Sequence, residues 1–208
     1  MNRFEKELLK YLGEANFKKV RSVKVGIAGL GGLGSNCAMN LVRSGFKRFI
    51  IADLDKVDMS NLNRQFYFYD QIGRAKTAAL NDNLKKINPD LKIEEYNGKV
   101  RRNNAVTIFE GCDIVVEAFD RAEDKAMIVE ALLPAGKFIV SVSGIAGIGD
   151  SDGIKVRKIG KNLVVIGDMT SDVKHAPPMS PRVNIAAAKQ ADVVLEYVVK
   201  GELGGNDH

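Results

Sequence analysis

Apolar and polar positions along the chain follow two alternating periods, which predict strands and helices in turn. Short strand-like runs are found at 23–28, 49–52, 92–96, 113–118 and 138–142. Segments with apolar residues three or four positions apart, typical of amphipathic helices, lie at 4–20, 35–44, 76–87, 103–110 and 123–133. Strands that alternate with helices indicate an α/β fold, with a doubly wound sheet that carries helices on both faces.

The last third of the chain has a different pattern. A glycine-rich loop precedes two strand-like segments, 154–159 and 163–166, which Gly160-Lys161-Asn162 joins as in a hairpin. The sheet is therefore expected to be parallel at first and to end in an antiparallel hairpin. Three prolines make 168–181 the segment expected to be mobile, and a final helix is expected at 182–199. The tail, 201–208, is expected to fray.

The composition is that of a soluble globular chain, with 45% hydrophobic and 27% charged residues. Its apolar runs are far shorter than the roughly 20 residues of a membrane span, and its charged start lacks a secretory signal, so a cytoplasmic location without membrane contact is expected. Cys37 and Cys112 are too far apart in sequence for a paired-cysteine zinc site or a disulfide framework. Both are expected to be buried free thiols.

The net charge of +5 raises the question of nucleic-acid binding. The basic residues are scattered and are not interleaved with aromatic residues, so nucleic acid is an unlikely partner by this criterion. Such a charge still favours approach of ATP or of an acidic protein.

A glycine turn follows the first predicted strand. Gly29, Gly31 and Gly34 match G-x-G-x-x-G, in which the three glycines serve the tight turn, the close approach of phosphate and the packing of the next helix. The amide groups at that helix N-terminus can hold phosphates. Asp53 closes the second strand, where a carboxylate reaches ribose hydroxyls. These features predict a Rossmann-like nucleotide site.

Further polar residues distinguish this sequence from that of a plain dinucleotide dehydrogenase. The loop after the second strand holds Asp55, Asp58, Asn61, Arg64 and Gln65 at the edge where doubly wound sheets bind ligands. Arg64 and, farther along, Lys76 offer positive charge for phosphate oxygens. Asp120, at the end of another apolar strand, can hold magnesium against a triphosphate. Together these residues indicate phosphate chemistry, which hydride transfer to NAD leaves unexplained.

Each residue also has a structural interpretation. Arg64 can be a solvated charge or part of an ion pair, and Lys76 can simply begin a helix. Asp120 can be a helix N-cap, since aspartate is favoured there. Asp55 and Asp58 can serve only to shape their loop.

The order of these motifs identifies a family resemblance. Gly-Leu-Gly-Gly-Leu-Gly, Asp-x-Asp-x-Val-x-x-Ser-Asn-Leu-Asn-Arg-Gln and Ile-Gly-Arg-Ala-Lys, followed by the strand that ends at Asp120, resemble the ThiF/MoeB/HesA family, which is related to ubiquitin-activating enzymes. The resemblance extends over about 4–143 and more loosely to about 200. It implies a single ThiF-type adenylation domain at 1–208, with an N-terminal helix (4–20), a nucleotide-binding core (21–143), and a hairpin and C-terminal helix (154–200).

The resemblance also implies an activity. ATP would bind with its phosphates over Gly31 and Gly32, its ribose on Asp53, and its β- and γ-phosphates against Arg64 and Lys76, with magnesium on Asp120. The full set of implied nucleotide-binding residues is Gly29, Gly31, Gly32, Gly34, Asp53, Asp55, Asn61, Arg64, Gln65 and Lys76. Arg64, Lys76 and Asp120 are the implied catalytic residues.

The implied partner is a small ubiquitin-like sulfur-carrier protein whose C-terminal Gly-Gly carboxylate attacks the α-phosphorus of ATP. The Lys158-Ile159-Gly160-Lys161 region resembles a compact subgroup associated with thiamine synthesis. Activation of another carboxylate, such as one on modified tRNA, and a non-catalytic nucleotide-binding scaffold for the carrier are the alternatives. The family also implies a homodimer, in which a basic residue of the N-terminal helix, here Arg3 or Lys6, reaches the neighbouring ATP site.

The chain departs from the family at its cysteines. It lacks the two C-x-x-C pairs that bind zinc in longer members, so no zinc is expected, and it has no cysteine after Cys112 to carry sulfur or a thioester. Adenylation is therefore the step assigned. His175 is expected to be an exposed loop residue, and Tyr67, Phe68 and Tyr69 are expected to pack beneath their loop rather than stack on adenine.

Overall fold

The computed structural model describes residues 1–201, so that all of the predicted fraying tail after Gly201 lies outside the described residues. A seven-stranded sheet forms the centre of the molecule, in the order β3-β2-β1-β4-β5-β7-β6. The strands are β1 Lys24–Ala28, β2 Arg48–Asp53, β3 Lys92–Asn97, β4 Ile114–Glu117, β5 Phe138–Val142, β6 Lys155–Gly160 and β7 Leu163–Gly167.

Six α-helices surround this sheet in the described part of the chain. They are α1 Arg3–Ser22, α2 Gly32–Arg43, α3 Lys76–Ile87, α4 Ala105–Ile108, α5 Ala122–Leu132 and α6 Ser180–Lys200. Gly13, at φ 71°, breaks the regular geometry of α1. One-turn 3-10 helices lie at Met59–Asn61, Tyr69–Gln71 and Ser151–Gly153.

The strand pairing confirms the predicted fold class. β1 pairs in parallel with β2 and β4, β4 with β5, and β5 with β7. Only β6 is antiparallel, against β7, because a short hairpin joins the two. The carboxyl ends of β1, β2, β4, β5 and β7 therefore share one edge, which we call the carboxyl edge.

Residues along each central strand alternate between two hydrophobic clusters. Val25 and Ile27 of β1 pack with residues of α2, α3 and α6 on one face. Ala28 of β1 packs with residues of α5 and with Phe109 on the other. The absence of a side chain at Gly26 makes room for Phe109, because a Cβ there would lie 2.6 Å from the ring. The predicted helices on both faces are confirmed.

Some predicted boundaries were wrong. The helix expected at 103–110 is the short α4, because the side chain of Asn104 bonds to the backbone at Lys99 and Arg101 and holds a turn before the helix starts. The strand expected to reach Ala118 ends at Glu117. The last helix begins at Ser180, because Pro181 lies in its first turn, where its missing N–H costs nothing.

The two cysteines are buried and free, as predicted. Burial raises the pKa of Cys37 and raises that of Cys112 to about 12, so neither thiol ionises near neutral pH. Within residues 1–201, no helix has the length and apolar character needed to cross a membrane.

Candidate functional site

The turn between β1 and α2 depends on two glycines whose roles were predicted from their spacing. Gly29 has φ +92°, and a Cβ on it would lie 2.8 Å from the carbonyl oxygen of Ala118. A Cβ on Gly34 would lie 1.9 Å from the carbonyl oxygen of Gly29. The first glycine therefore permits the turn, and the second allows α2 to pack directly against it.

Gly31 and Gly32 differ in what surrounds them. A Cβ on Gly31 would come no closer than 3.8 Å to another atom of the chain, the Nε2 of Gln65, whereas a Cβ on Gly32 would lie 2.8 Å from Val183 of α6. The packing of the described chain explains the glycine at 32 and does not require one at 31. The space above Gly31 is thus available to a ligand that approaches the backbone.

The helix N-terminus beside this space has no side-chain cap. Gly31 is the N-cap of α2, and the first turn contains no acidic residue. The first N–H groups of the helix and its positive dipole end therefore have no capping side chain of their own, and such helix starts can hold phosphates.

Two polar residues of α2 attach the turn to the loop that carries Arg64. Asn36 Nδ2 donates to the carbonyl oxygens of Gly32, at 2.7 Å, and of Arg64, at 2.8 Å. Ser35 Oγ donates to the carbonyl of Gly31 and accepts from the N–H of Phe66. The backbone at Arg64 is thereby fixed next to the start of α2, and the Arg64 side chain passes 3.3 Å from the Cβ position of Gly32.

Asp53 closes β2 at the carboxyl edge, as predicted, and has a structural contact that the sequence did not reveal. Its Oδ2 accepts from the N–H of Leu30 at 2.6 Å, and its Oδ1 accepts from the N–H of Asp55 at 2.8 Å. Burial raises the pKa of Asp53, while the nearby charge of Lys76 and these two N–H groups oppose that shift. The carboxylate thus holds the glycine turn.

Lys76 lies close to the same carboxylates. It begins α3, its side chain is 7% exposed, and its Nζ lies 2.9 Å from Asp55 Oδ2.

The hydroxyl of Tyr67 donates to the carbonyl of Leu30 at 2.8 Å, and so connects the loop to the glycine turn. Tyr67 is buried beneath the loop, which confirms the packing expected for it. Phe68 and Tyr69 are 47% and 73% exposed, so that packing was wrongly expected for them.

Arg64 and Asn61 lie in the turn before Tyr67. Arg64 Nη1 donates to Asn63 Oδ1 at 2.7 Å and to the carbonyl of Ser60 at 3.3 Å. Asn61 Oδ1 accepts from the N–H of Asp58 and so shapes the turn, together with the Asp58 carboxylate that caps Ser60. Asp58 therefore has the shaping role, whereas the Arg64 guanidinium has only exposed, uncharged partners among residues 1–201.

The side chain of Gln65 lies in an unusual environment. It is only 9% exposed, and its Oε1 has no hydrogen-bond partner among the described residues. A buried amide oxygen without a partner costs stability. Because its Nε2 is the chain atom nearest to the Cβ position of Gly31, this amide borders the free space above the turn.

Asp120 is exposed at the carboxyl edge beyond β4. Arg121, rather than Asp120, is the N-cap of α5, so the N-cap alternative was wrong. The ring of Phe119 lies 3.1 Å from the Cβ position of Gly29, which places this strand end beside the glycine turn. No cluster of three His, Cys, Asp or Glu side chains that could hold a metal ion occurs among residues 1–201.

The sequence did not reveal Glu117, which is fully buried at the end of β4. Its carboxylate accepts from Ser141 Oγ at 2.6 Å, from Lys125 Nζ at 3.2 Å and from the N–H of Phe119 at 2.7 Å. The pairing with lysine and the two further donors compensate for the burial of this charge. Glu117 therefore fixes the backbone that leads to Asp120. His175 is exposed, as expected.

Comparison with known proteins extends this picture. The family model of the ThiF family matches residues 5–177. SUMO-activating enzyme subunit 2 of Dictyostelium discoideum is 36% identical over 115 residues, which cover 54% of this chain and 17% of that protein. Ubiquitin-like modifier-activating enzyme 5 of the same organism is 33% identical over 134 residues, which cover 59% of this chain and 35% of that protein. The probable molybdopterin-synthase adenylyltransferase of Gracilaria tenuistipitata var. liui is 31% identical over 122 residues, with 58% and 34% covered. The chain thus spans between 17% and 35% of the length of these relatives.

Solved structures share the fold at lower identity. The E. coli tRNA N6-threonylcarbamoyladenosine dehydratase in complex with AMP gives a TM-score of 0.80 at 20% identity, with 94% of this chain and 92% of that chain covered. E. coli MccB with ATP gives a TM-score of 0.70 at 23% identity, and the match covers 96% of this chain and 63% of that chain. These likenesses support the fold alone.

Proposed function

Because the chain belongs to the ThiF family, we propose that it transfers the adenylyl group of ATP to the C-terminal glycine carboxylate of a small ubiquitin-like sulfur-carrier protein. Relatives whose names include an adenylyltransferase and ubiquitin-like modifier-activating enzymes support the reaction and the partner. The observation that carries the proposal is the turn at Gly31, where a Cβ would come no closer than 3.8 Å to the Gln65 amide and the start of α2 has no side-chain cap.

The cations at this edge can take up a triphosphate at low cost. Arg64 would exchange a side-chain amide and a carbonyl, both neutral acceptors, for phosphate oxygens that carry charge. Lys76 would remain beside Asp55 and contribute a point charge from a largely buried position, where the attraction is less screened. Positively charged side chains next to the β- and γ-phosphates also stabilise pyrophosphate as the leaving group.

The reaction needs little proton chemistry. An oxygen of the glycine carboxylate attacks the α-phosphorus, the bond to the bridging oxygen of the β-phosphate breaks, and pyrophosphate leaves. The nucleophile is already ionised at neutral pH, so the site must neutralise two anions and hold them in line rather than supply a base.

Magnesium would fit Asp120. This ion is commonly bound by one or two carboxylates together with substrate phosphates and water, and Asp120 is an exposed carboxylate beside the glycine turn. When bound, the ion would supply positive charge to the phosphates. The network of Glu117 would keep this turn of the backbone in place.

The proposed activity ends at the acyl-adenylate. The chain contains two cysteines, and both are buried with raised pKa values, so neither offers a thiolate for a thioester or persulfide. The finer assignment to thiamine synthesis rests on the resemblance of residues 158–161 to a compact subgroup. We further propose that residues 1–208 act as a single adenylation domain.

A homodimer is part of the same proposal. Glu5 of α1 is paired with Lys47, which precedes β2, so the start of α1 lies at the opposite edge of the sheet from the glycine turn. Arg3 and Lys6 are exposed there and cannot reach the ATP site of their own chain. Any contact of theirs with ATP requires a second copy, and a monomeric mass by light scattering under assay conditions would contradict this arrangement.

Exchange of labelled pyrophosphate into ATP tests the proposed function. We expect exchange with a purified ubiquitin-like carrier that ends in Gly-Gly, and none with the same carrier without its last glycine, because the attacking carboxylate is then misplaced. Exchange with threonylcarbamoyladenosine-containing tRNA instead would assign the alternative substrate. Binding of ATP without exchange would favour the scaffold, and tight binding of NAD without exchange would exclude phosphoryl chemistry.

A further inference from the structure

Arg182, in the first turn of α6, is a buried cation that the reaction as described does not use. Its side chain is 5% exposed, and its Nη2 lies 2.5 Å from Asp168 Oδ2, whose side chain is 11% exposed. Its Nη1 donates to the carbonyls of Gly149, at 2.5 Å, and Asp150, at 2.7 Å. One guanidinium therefore joins the loop that follows β5 to the segment that follows β7.

The two segments are also tied to each other. Asp168 Oδ1 accepts from the N–H groups of Thr170 and Ser171, at 2.8 and 2.7 Å. Ser171 Oγ accepts from the N–H of Ala146 at 3.0 Å, and the carbonyl of Pro177 accepts from Gly147. Burial raises the pKa of Asp168, but the hydrogen bonds from Thr170 and Ser171 outweigh this effect and lower the pKa to about 2. The carboxylate is therefore charged throughout the neutral range.

Backbone strain is concentrated at the same place. Within residues 1–201, the non-glycine residues with positive φ are Asp150, at 44°, and Met169, at 68°. Arg182 donates to the carbonyl of Asp150. Met169 lies between Asp168 and Thr170, whose N–H donates to the Asp168 carboxylate. Such conformations persist only when surrounding contacts impose them, and they are concentrated at functional sites.

The position of the two segments indicates what they could serve. They leave the carboxyl ends of β5 and β7, at the carboxyl edge whose β1, β2 and β4 positions carry the proposed ATP residues. Val183, the residue after Arg182, contacts Gly32 at the start of α2. The first turn of α6 thus lies between the proposed phosphate site and the two segments that follow β5 and β7.

We infer that Arg182 and Asp168 are positioning residues, which hold the loops at 144–150 and 168–179 in the shape that presents the carrier's C-terminal tail to the α-phosphate. This inference rests on the proposed adenylyl transfer. It assigns Arg182 no contact with ATP or with the reacting carboxylate. Its specific consequence is that loss of the pair weakens use of the carrier and leaves ATP binding intact.

Asp168→Asn tests the inference. Asparagine retains an oxygen for Thr170 and Ser171 and removes the charge that Arg182 faces. We expect the KM for a Gly-Gly carrier, measured by pyrophosphate exchange, to rise on the order of tenfold or more, because small displacements of a bound reactant are costly. The Kd for ATP, measured by calorimetry, should stay within about twofold of that of the parent chain, since no ATP contact is lost. Arg182→Lys should retain less than half of the affinity that the parent chain has for the carrier, because an ammonium lacks the planar fork that spans these acceptors.

Two further variants separate this role from general stability. Glu130→Gln breaks an exposed ion pair between α5 and Arg102, which lies in the turn before α4, and should change neither constant. Ser171→Ala replaces Asp168→Asn if the latter fails to fold. It removes the hydroxyl that accepts from the N–H of Ala146 and bonds to the Asp168 carboxylate, and it should also raise the carrier KM. An unchanged carrier KM in folded variants, or equal losses of ATP and carrier affinity, would overturn the inference. Absence of exchange in the parent chain would instead refute the proposed function.

Discussion

Asp120→Ala is expected to reduce pyrophosphate exchange by on the order of a thousandfold without unfolding the protein. Asp120 is the carboxylate proposed to hold magnesium against the triphosphate, and removal of this ligand would leave the developing charge on the phosphates poorly compensated. The side chain is exposed, and the structure gives it no hydrogen bond or ion pair within residues 1–201. Its loss should therefore change the free energy of unfolding by no more than about 0.5 kcal/mol.

Glu123→Ala is the matched control for this variant. Glu123 is also an exposed carboxylate, in the first turn of α5, and within residues 1–201 it pairs only with Arg121. Both variants should melt near the temperature of the parent chain, and only Asp120→Ala should lose exchange. Near-normal exchange by Asp120→Ala would remove the proposed metal role, and an unfolded Asp120→Ala would show that the residue is structural.

The spacing of the glycines predicted the geometry of the turn because the contacts of a glycine turn are local. Gly29 and Gly34 lie within one turn of chain, and the structure gives both the roles that the motif implies. Asp53 was predicted at the carboxyl edge for the same reason, since it ends a strand. Its bond to the N–H of Leu30 was not predictable, because the two residues meet only when β1 and β2 pair.

The residues that sequence reasoning missed depend on distant partners. Glu117 is a single acid in an apolar strand. Ser141, which donates to its carboxylate, and Gln190, which donates to its backbone carbonyl, are 24 and 73 positions away. Arg182 reads as the polar start of a helix, and its bonds reach 14 to 33 positions back along the chain. Neither the spacing nor the residue type of such groups indicates burial, so a fold is required to find them.

The contrast between Gly31 and Gly34 provides a second test with a large expected effect. In Gly34→Ala the new Cβ would lie 1.9 Å from the carbonyl oxygen of Gly29, which is backbone and cannot rotate away. We expect a loss of at least about 2 kcal/mol of stability, even after the gain from alanine in a helix. For a chain of this size that corresponds to a fall in melting temperature of about 4–8 °C, measurable by calorimetry.

Gly31→Ala should behave in the opposite way. Its Cβ would lie 3.8 Å from the nearest chain atom, and the backbone at 31 is extended, with φ −74°, so the protein should fold with its stability changed by less than about 1 kcal/mol. The methyl group would occupy the space where phosphate is proposed to approach the start of α2, and the Kd for ATP should rise at least about tenfold, or 1.4 kcal/mol. If Gly31→Ala binds ATP normally, the phosphates do not lie over this turn. If Gly34→Ala is as stable as the parent chain, α2 can shift away from the turn, and the close packing of this glycine is not what fixes the geometry of the site.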